Sequence, residues 1–101
     1  MKLKLIFNPM AGRGRARQHI GKALKRLREG GADVDCVSSM SPADMTRIAA
    51  ESSRSEWDRV VVCGGDGSLH LAVREFDLHR GTLALLPLGS GDDFAQAVGI
   101  P

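Results

Sequence analysis

The sequence predicts an α/β domain in three layers, with a parallel sheet between helices on both faces. Two observations carry this: short, nearly all-apolar runs recur along the 101 residues, and stretches with apolar residues at helical spacing separate them. A third is that glycine-rich segments follow several of the apolar runs directly. The order is βαβαβαβα with no internal repeat, and such alternation implies right-handed crossovers between parallel strands.

The first strand is read over Leu3 to Phe7, ending at Asn8-Pro9. Ile20, Ala23, Leu24 and Leu27 then mark a helix, which Gly30-Gly31 stops through a left-handed backbone. Val34 to Val37 is a second apolar run. Ser41, Pro42 and Asp44 read as an N-cap, a first-turn proline and a capping acid for a helix over about Pro42 to Ser53. Arg59 to Cys63 contains a β-branched run suited to a strand covered on both faces, broken by Gly64-Gly65-Asp66-Gly67. Leu69, Ala72, Val73 and Phe76 give the buried stripe of a third helix. Thr82 to Leu86 is the fourth strand, closed by Pro87, and a short helix follows over Asp93 to Val98 with Gly99 as its stop.

Bulk composition limits the partners. A hydrophobic content of 43 % with four Pro is enough for one packed core. Fourteen Lys and Arg against twelve Asp and Glu leave a charge of +2, so no nucleic-acid partner is expected, although the stretch from Arg13 to Arg28 is locally basic. Cys36 and Cys63 sit in apolar runs and form no CxxC pair, which suits reduced core residues. The N-terminal apolar run is too short for a secretion signal, and nothing approaches the roughly 20 apolar residues of a membrane span. The expected location is therefore cytoplasmic, with any lipid met from the water side at the inner membrane face.

Three segments place glycines between a strand and a following helix: Asn8 to Gly14, Gly64 to Ser68, and Leu88 to Phe94. In a parallel sheet all three lie at the carboxyl ends of strands, where ligands bind. Glycine lets backbone N–H groups approach an anion, and the helix start behind it adds donors and a partial positive charge. One such loop is also explained as a tight turn, but three on one edge point to phosphate. Arg13 and Arg15 can fork onto phosphate oxygens, or can belong to a solvated basic face with Arg17 and Lys22. A dinucleotide fingerprint is incomplete, because Arg17 stands where a third glycine is expected after Gly12 and Gly14, and no Walker A Gly-Lys-Ser or Gly-Lys-Thr occurs. His19, His70 and His79 form no pair with metal-ligand spacing.

NPMAGRGRA, VVVCGGDGSLHLAV and LLPLGSGDDFAQAVGIP resemble, in order and spacing, the three signature segments of the diacylglycerol kinase catalytic domain family, which includes bacterial lipid kinases, sphingosine kinases and ceramide kinases. The resemblance implies a Rossmann-like ATP-binding N-terminal domain over residues 1–101, similar to that of NAD kinases, serving transfer of the γ-phosphoryl group of ATP to a lipid hydroxyl. It puts Asn8, Gly12, Arg13, Gly14, Ser39, Gly64, Gly65, Gly67, Ser68, Gly89, Ser90 and Gly91 at the nucleotide. It also implies that Asp66 and Asp93 act in catalysis within a network of acids, water and Mg2+ around the transferred phosphate. The local alternatives are a turn-stabilising role for Asp66 and a helix N-cap role for Asp93.

Some positions depart from the family pattern. Asp92 replaces a usual Asn, Ser90 a common Thr, Leu71 a frequent Glu and Gln96 a frequent Arg. An added carboxylate at Asp92 would repel polyphosphate unless a cation bridges them. Family members also continue into a β-rich C-terminal domain that supplies the lipid-binding face and an activating aspartate, which this chain does not include. Alone it is expected to be inactive, and the flank where that domain docks is expected to favour a homodimer. The alternatives are a non-catalytic nucleotide-binding or regulatory module, and an NAD kinase-like enzyme sharing the GGDG segment.

Overall fold

A computed structural model describes residues 1–9 and 15–87. Its elements are β1 (Lys2–Phe7), α1 (Arg15–Glu29), β2 (Asp33–Ser38), α2 (Pro42–Ser53), β3 (Arg59–Gly64), α3 (Asp66–Val73) and β4 (Leu83–Pro87). The four strands form one parallel sheet in the order β2-β1-β3-β4. The loops Met10 to Gly14 and Leu88 to Phe94, and the helix expected over Asp93 to Val98, lie outside the described residues.

Alternation of side chains along the central strands divides the core in two. Leu3 and Leu5 of β1 and Val61 and Cys63 of β3 pack with Ala23 and Leu27 of α1. Ile6, Val60 and Val62 face the other way, onto Met45, Ile48 and Ala49 of α2, Ala72 of α3 and Phe76. Leu3, Leu5, Ile6, Val61 and Val62 are fully enclosed. Each such side chain contributes about 1.5–3 kcal/mol on removal from water. Among the described residues one helix therefore covers one face and two cover the other, as right-handed crossovers require when the chain steps from β1 to β2 in one direction and from β2 through β3 to β4 in the opposite one.

The helix boundaries have local causes. Gly31 takes φ +91°; its N–H donates to the Arg28 carbonyl at 3.0 Å, and Ala32 N–H donates to the Leu27 carbonyl at 3.0 Å. This paired closure of α1 needs a residue that tolerates the left-handed region. Ser41 is extended and its hydroxyl accepts the Asp44 N–H at 3.1 Å, with Pro42 opening α2.

One boundary differs from the sequence reading. The periodic stripe runs on to Phe76, yet α3 ends at Val73. The cause lies in the next turn: Asp77 N–H donates to the buried Ser53 hydroxyl at 3.0 Å, and the Asp77 carboxylate accepts the His79 N–H at 3.0 Å. Those bonds draw the chain back over the end of α2, so Phe76 enters the α2/α3 core from a turn. Gly81 closes the turn so tightly that a Cβ there would lie 3.0 Å from both the Phe76 ring and the Ser53 carbonyl. Trp57, half-buried, packs beside the same core, while His19, His70 and His79 are exposed.

Burial pushes the Cys63 thiol well above its ordinary range and raises Cys36, which is half-buried, in the same direction. Thiol reagents at mildly alkaline pH should thus leave Cys63 unmodified in the folded chain and label it on addition of denaturant. Mass spectrometry of the labelled peptides checks this, and rapid native labelling of Cys63 would contradict the packing described.

Candidate functional site

The strands end nearly in a row, because Phe7 pairs with both Ser38 and Cys63, and Cys63 with Leu86. One residue further along stand Asn8, Ser39, Gly64 and Pro87. Between β1 and β3 the strand order reverses, so the chain leaving β1 turns to the α1 face and the chain leaving β3 turns to the α2/α3 face. The divergence opens a crevice at the carboxyl edge, the usual ligand position of open parallel sheets.

A cleft of about 370 Å³ lies on the α2/α3 side of this edge. Asn8 and Pro9 border it from the end of β1, Ser39 to Pro42 from the β2–α2 connection, Met45 from α2, and Ser68 and Leu71 from α3. None of these side chains is charged. Apolar walls with a few hydroxyls and one amide suit a flat, weakly polar group, and not a phosphate.

Ser39 is buried, at 5 % exposure, where its N–H donates to the Phe7 carbonyl at 2.8 Å and carries the β1–β2 pairing one residue past the strand ends. Its hydroxyl reaches the same carbonyl only at 3.4 Å, a long bond that leaves it able to serve another partner. Met40, beside it, is 82 % exposed at the cleft.

Next to the cleft lies the start of α3. Gly65 is its N-cap and supplies no side-chain hydrogen bond to the first turn. The Leu69 N–H closes onto the Gly65 carbonyl at 3.2 Å, so the earlier N–H groups have no partner within the helix. The reason for each glycine differs here. A Cβ on Gly64 would fall 2.6 Å from the Ser68 hydroxyl and 2.9 Å from its Cβ, so packing against Ser68 demands glycine. Among the described residues a Cβ on Gly65 or Gly67 would meet nothing within 4 Å, and neither residue has positive φ. Packing of the described residues therefore does not require glycine at either position. Gly21 is equally open in mid-helix; the distinction is that Gly65 and Gly67 lie at an uncapped helix start, where an anion gains from both the donors and the helix dipole.

The segment Gly64 to Ser68, read from sequence as a loop, is thus the last residue of β3, a one-residue link and the first turn of α3. Of the residues singled out from sequence, Asn8, Ser39 and Ser68 meet at the cleft, and Gly64, Gly65 and Gly67 lie beside it. Asp66 begins α3. Gly12, Arg13, Gly14, Gly89, Ser90, Gly91, Asp92, Asp93 and Gln96 lie outside the described residues. Among the described residues no three His, Cys, Asp or Glu side chains gather as a metal set.

Sequence reasoning missed the β2–α2 wall of Met40, Ser41, Pro42 and Met45. That connection carries no glycine, so a search for glycine loops passes over it, although it leaves the same sheet edge. Also missed is Thr46, whose hydroxyl donates to the Leu71 carbonyl at 2.8 Å. That carbonyl is among the last four of α3 and has no intrahelical partner, so Thr46 ties the α2 wall of the cleft to the α3 wall.

The whole of the chain is similar to known proteins. The profile of the diacylglycerol kinase catalytic domain matches residues 2–101. A diacylglycerol kinase of Bacillus subtilis is 30 % identical over 99 % of this chain and 34 % of its own length. A protein of Shewanella frigidimarina named "Probable lipid kinase YegS-like" is 37 % identical over 97 % of this chain and 32 % of its own. The crystal structure of a diacylglycerol kinase from Bacillus anthracis superposes with a TM-score of 0.72 at 30 % identity, covering 99 % of this chain and 37 % of that one. The chain spans about a third of the length of these relatives.

Two outcomes follow for the cleft walls. Thr46→Val should detach Leu71 and cost about 1 kcal/mol of stability, with Thr46→Ser restoring most of it; thermal unfolding reads both. The Asp44 carboxyl, accepting the Met40 N–H at 2.8 Å and paired with Arg47, is held below its ordinary value of 3.8. Its contribution is complete above that value and is lost as the pH falls through the lower folded one. Asp44→Asn should therefore lower the melting temperature at neutral pH, with the gap to the parent chain closing in acid. A gap that widens in acid would refute the assignment.

Proposed function

The chain belongs to the diacylglycerol kinase catalytic domain family, and from that premise we propose that it is the ATP-binding domain of a lipid kinase. The observation that carries this reading is the convergence of Asn8, Ser39 and Ser68, from three separate connections, on one neutral cleft beside an uncapped helix start. In this reading the nucleobase and ribose occupy the cleft and the polyphosphate runs to the glycine edge.

The first loop, with Gly12, Arg13 and Gly14, and the open backbone at Gly65 and Gly67 hold the phosphates. The third loop, with Gly89, Ser90 and Gly91, closes the site. Asp66 and Asp93 are the residues that would hold magnesium through its waters, and Mg2+ bound with the nucleotide supplies screening of the polyphosphate charge and orientation of the γ-phosphoryl group. Magnesium takes most of its ligands from water and phosphate, so two carboxylates acting through water suffice to hold it. The acceptor in this proposal is a lipid hydroxyl, presented by a β-rich second domain. Phosphoryl transfer needs both substrates held in line, so the 101-residue chain should bind ATP and transfer nothing by itself.

Calorimetric titration with Mg-ATP tests the reading. Gly67→Val is the informative variant, because a Cβ there lies more than 4 Å from any other described group it could strike, yet the side chain occupies space at the start of α3. Affinity should fall at least roughly tenfold as charge-assisted hydrogen bonds are lost, with the melting temperature little changed. Asp66→Ala should weaken binding chiefly when magnesium is present. Binding of NAD without competition from ATP would favour the NAD kinase-like alternative, and no nucleotide binding by the folded chain would refute the proposal.

A further inference from the structure

The chain has four methionines, and the fold gives the three described ones, Met1, Met40 and Met45, very different access to water. Met45 lines the cleft from α2 but is 2 % exposed, enclosed in the α2/α3 core. Met1 precedes β1 at the amino edge of the sheet, away from the cleft. Met40 borders the cleft and, at 82 % exposure, is the most exposed large apolar residue among those described. It belongs to neither core cluster. Its backbone is nevertheless fixed: the Ser39 N–H donates to the Phe7 carbonyl, the Met40 N–H to the Asp44 carboxylate, and the Ser41 hydroxyl caps α2. An apolar side chain thus stands in water on an anchored backbone, beside a recess whose Pro42, Met45 and Leu71 walls are also apolar.

We propose that the Met40 side chain closes over the nucleobase at the mouth of the cleft, and that oxidation of its thioether by a peroxide releases the nucleotide. This rests on the ATP-binding reading above. An unbranched side chain with a polarizable sulfur adapts to a flat surface and makes favourable contact with an aromatic ring, and Met40 sheds exposed apolar surface when such a ring enters. Oxidation reverses that balance. The sulfur attacks one oxygen of the peroxide; an S–O bond forms as the O–O bond breaks, the sulfur gives up two electrons, and the second oxygen takes the proton and leaves as water. The sulfoxide is polar, and laying it on a ring without a hydrogen-bond donor costs its hydration. Neither thiol shares this position, since Cys36 and Cys63 do not line the cleft.

Calorimetric titration of the 101-residue chain with Mg-ATP, before and after treatment with hydrogen peroxide, tests this, with fragment-ion mass spectrometry placing each added oxygen. Met40 should take up oxygen ahead of Met45, and saturating Mg-ATP should slow that uptake. The affinity of the oxidised chain should fall roughly tenfold with unchanged circular dichroism, and methionine sulfoxide reductase should restore it. Met40→Leu, which keeps an apolar side chain without the sulfur, should lose no affinity on the same treatment. Met40→Gln, polar from the start, should bind as weakly as the oxidised parent. The Met40 methyl resonance should show a ring-current shift with Mg-ATP and none with magnesium and inorganic triphosphate, which carries no base.

A loss of affinity on peroxide treatment that persists in Met40→Leu, or an equal methyl shift with triphosphate, would overturn the assignment to Met40. A chain that binds Mg-ATP equally with Met40 reduced or oxidised would sink this inference alone. A folded chain that takes no nucleotide in either state would sink the ATP-binding reading, and this inference with it.

Discussion

Strands β1 and β3 are buried on both faces, and that burial dictates what the carboxyl edge becomes. A strand whose alternate side chains, such as Leu5 and Ile6 or Val61 and Val62, are all enclosed needs helices above and below. Right-handed connections can place helices on both sides only if the chain changes direction across the sheet. The change falls between β1 and β3, so the segments after these strands part to opposite faces. A crevice at that point is a consequence of building the core, before any residue is chosen for chemistry.

Residues at the crevice then divide the work by polarity. Uncharged side chains from the segment after β1, the β2–α2 connection, α2 and α3 make a neutral recess, and Gly65 and Gly67 at the start of α3 leave backbone donors open beside it. Groups that fasten the walls lie just behind them. Ser41 caps α2, the Asp44 carboxylate holds the Met40 N–H, and Thr46 links α2 to the end of α3. Arg47 pairs with Asp44 and Glu51 on the exposed side of α2, where such pairs contribute little, so the walls depend mainly on the cap and the Thr46 bond.

Much of this was legible in the sequence because the signals were local. The apolar runs marked all four strands, Gly30-Gly31 marked the end of α1, and Ser41-Pro42 with Asp44 marked the start of α2, each to within a residue or two. The end of α3 was not legible. Phe76 continues the helical period, and only the long-range bond from Asp77 to Ser53 shows why the helix stops earlier. At the site, glycine gave away Gly64 to Gly67, but the wall of Met40 and Met45 has no local signature. Its membership depends on the topology, which places the β2–α2 connection at the same edge as the glycine segments. The openness at Gly65 and Gly67 likewise needed coordinates, since sequence cannot separate a glycine required by packing, as at Gly64, from one that is not.

The central claim is that one nucleotide spans the neutral cleft and the glycine edge. Amide chemical shifts of the isotopically labelled chain, followed as Mg-ATP is added, test it residue by residue. The account predicts that the amides of Asn8, Ser39, Met40, Gly65, Gly67 and Ser68 move together along a single binding curve, while those of Lys22 and Lys25 on α1 stay in place. Shifts confined to the basic face of α1, with the cleft and the start of α3 unmoved, would contradict it.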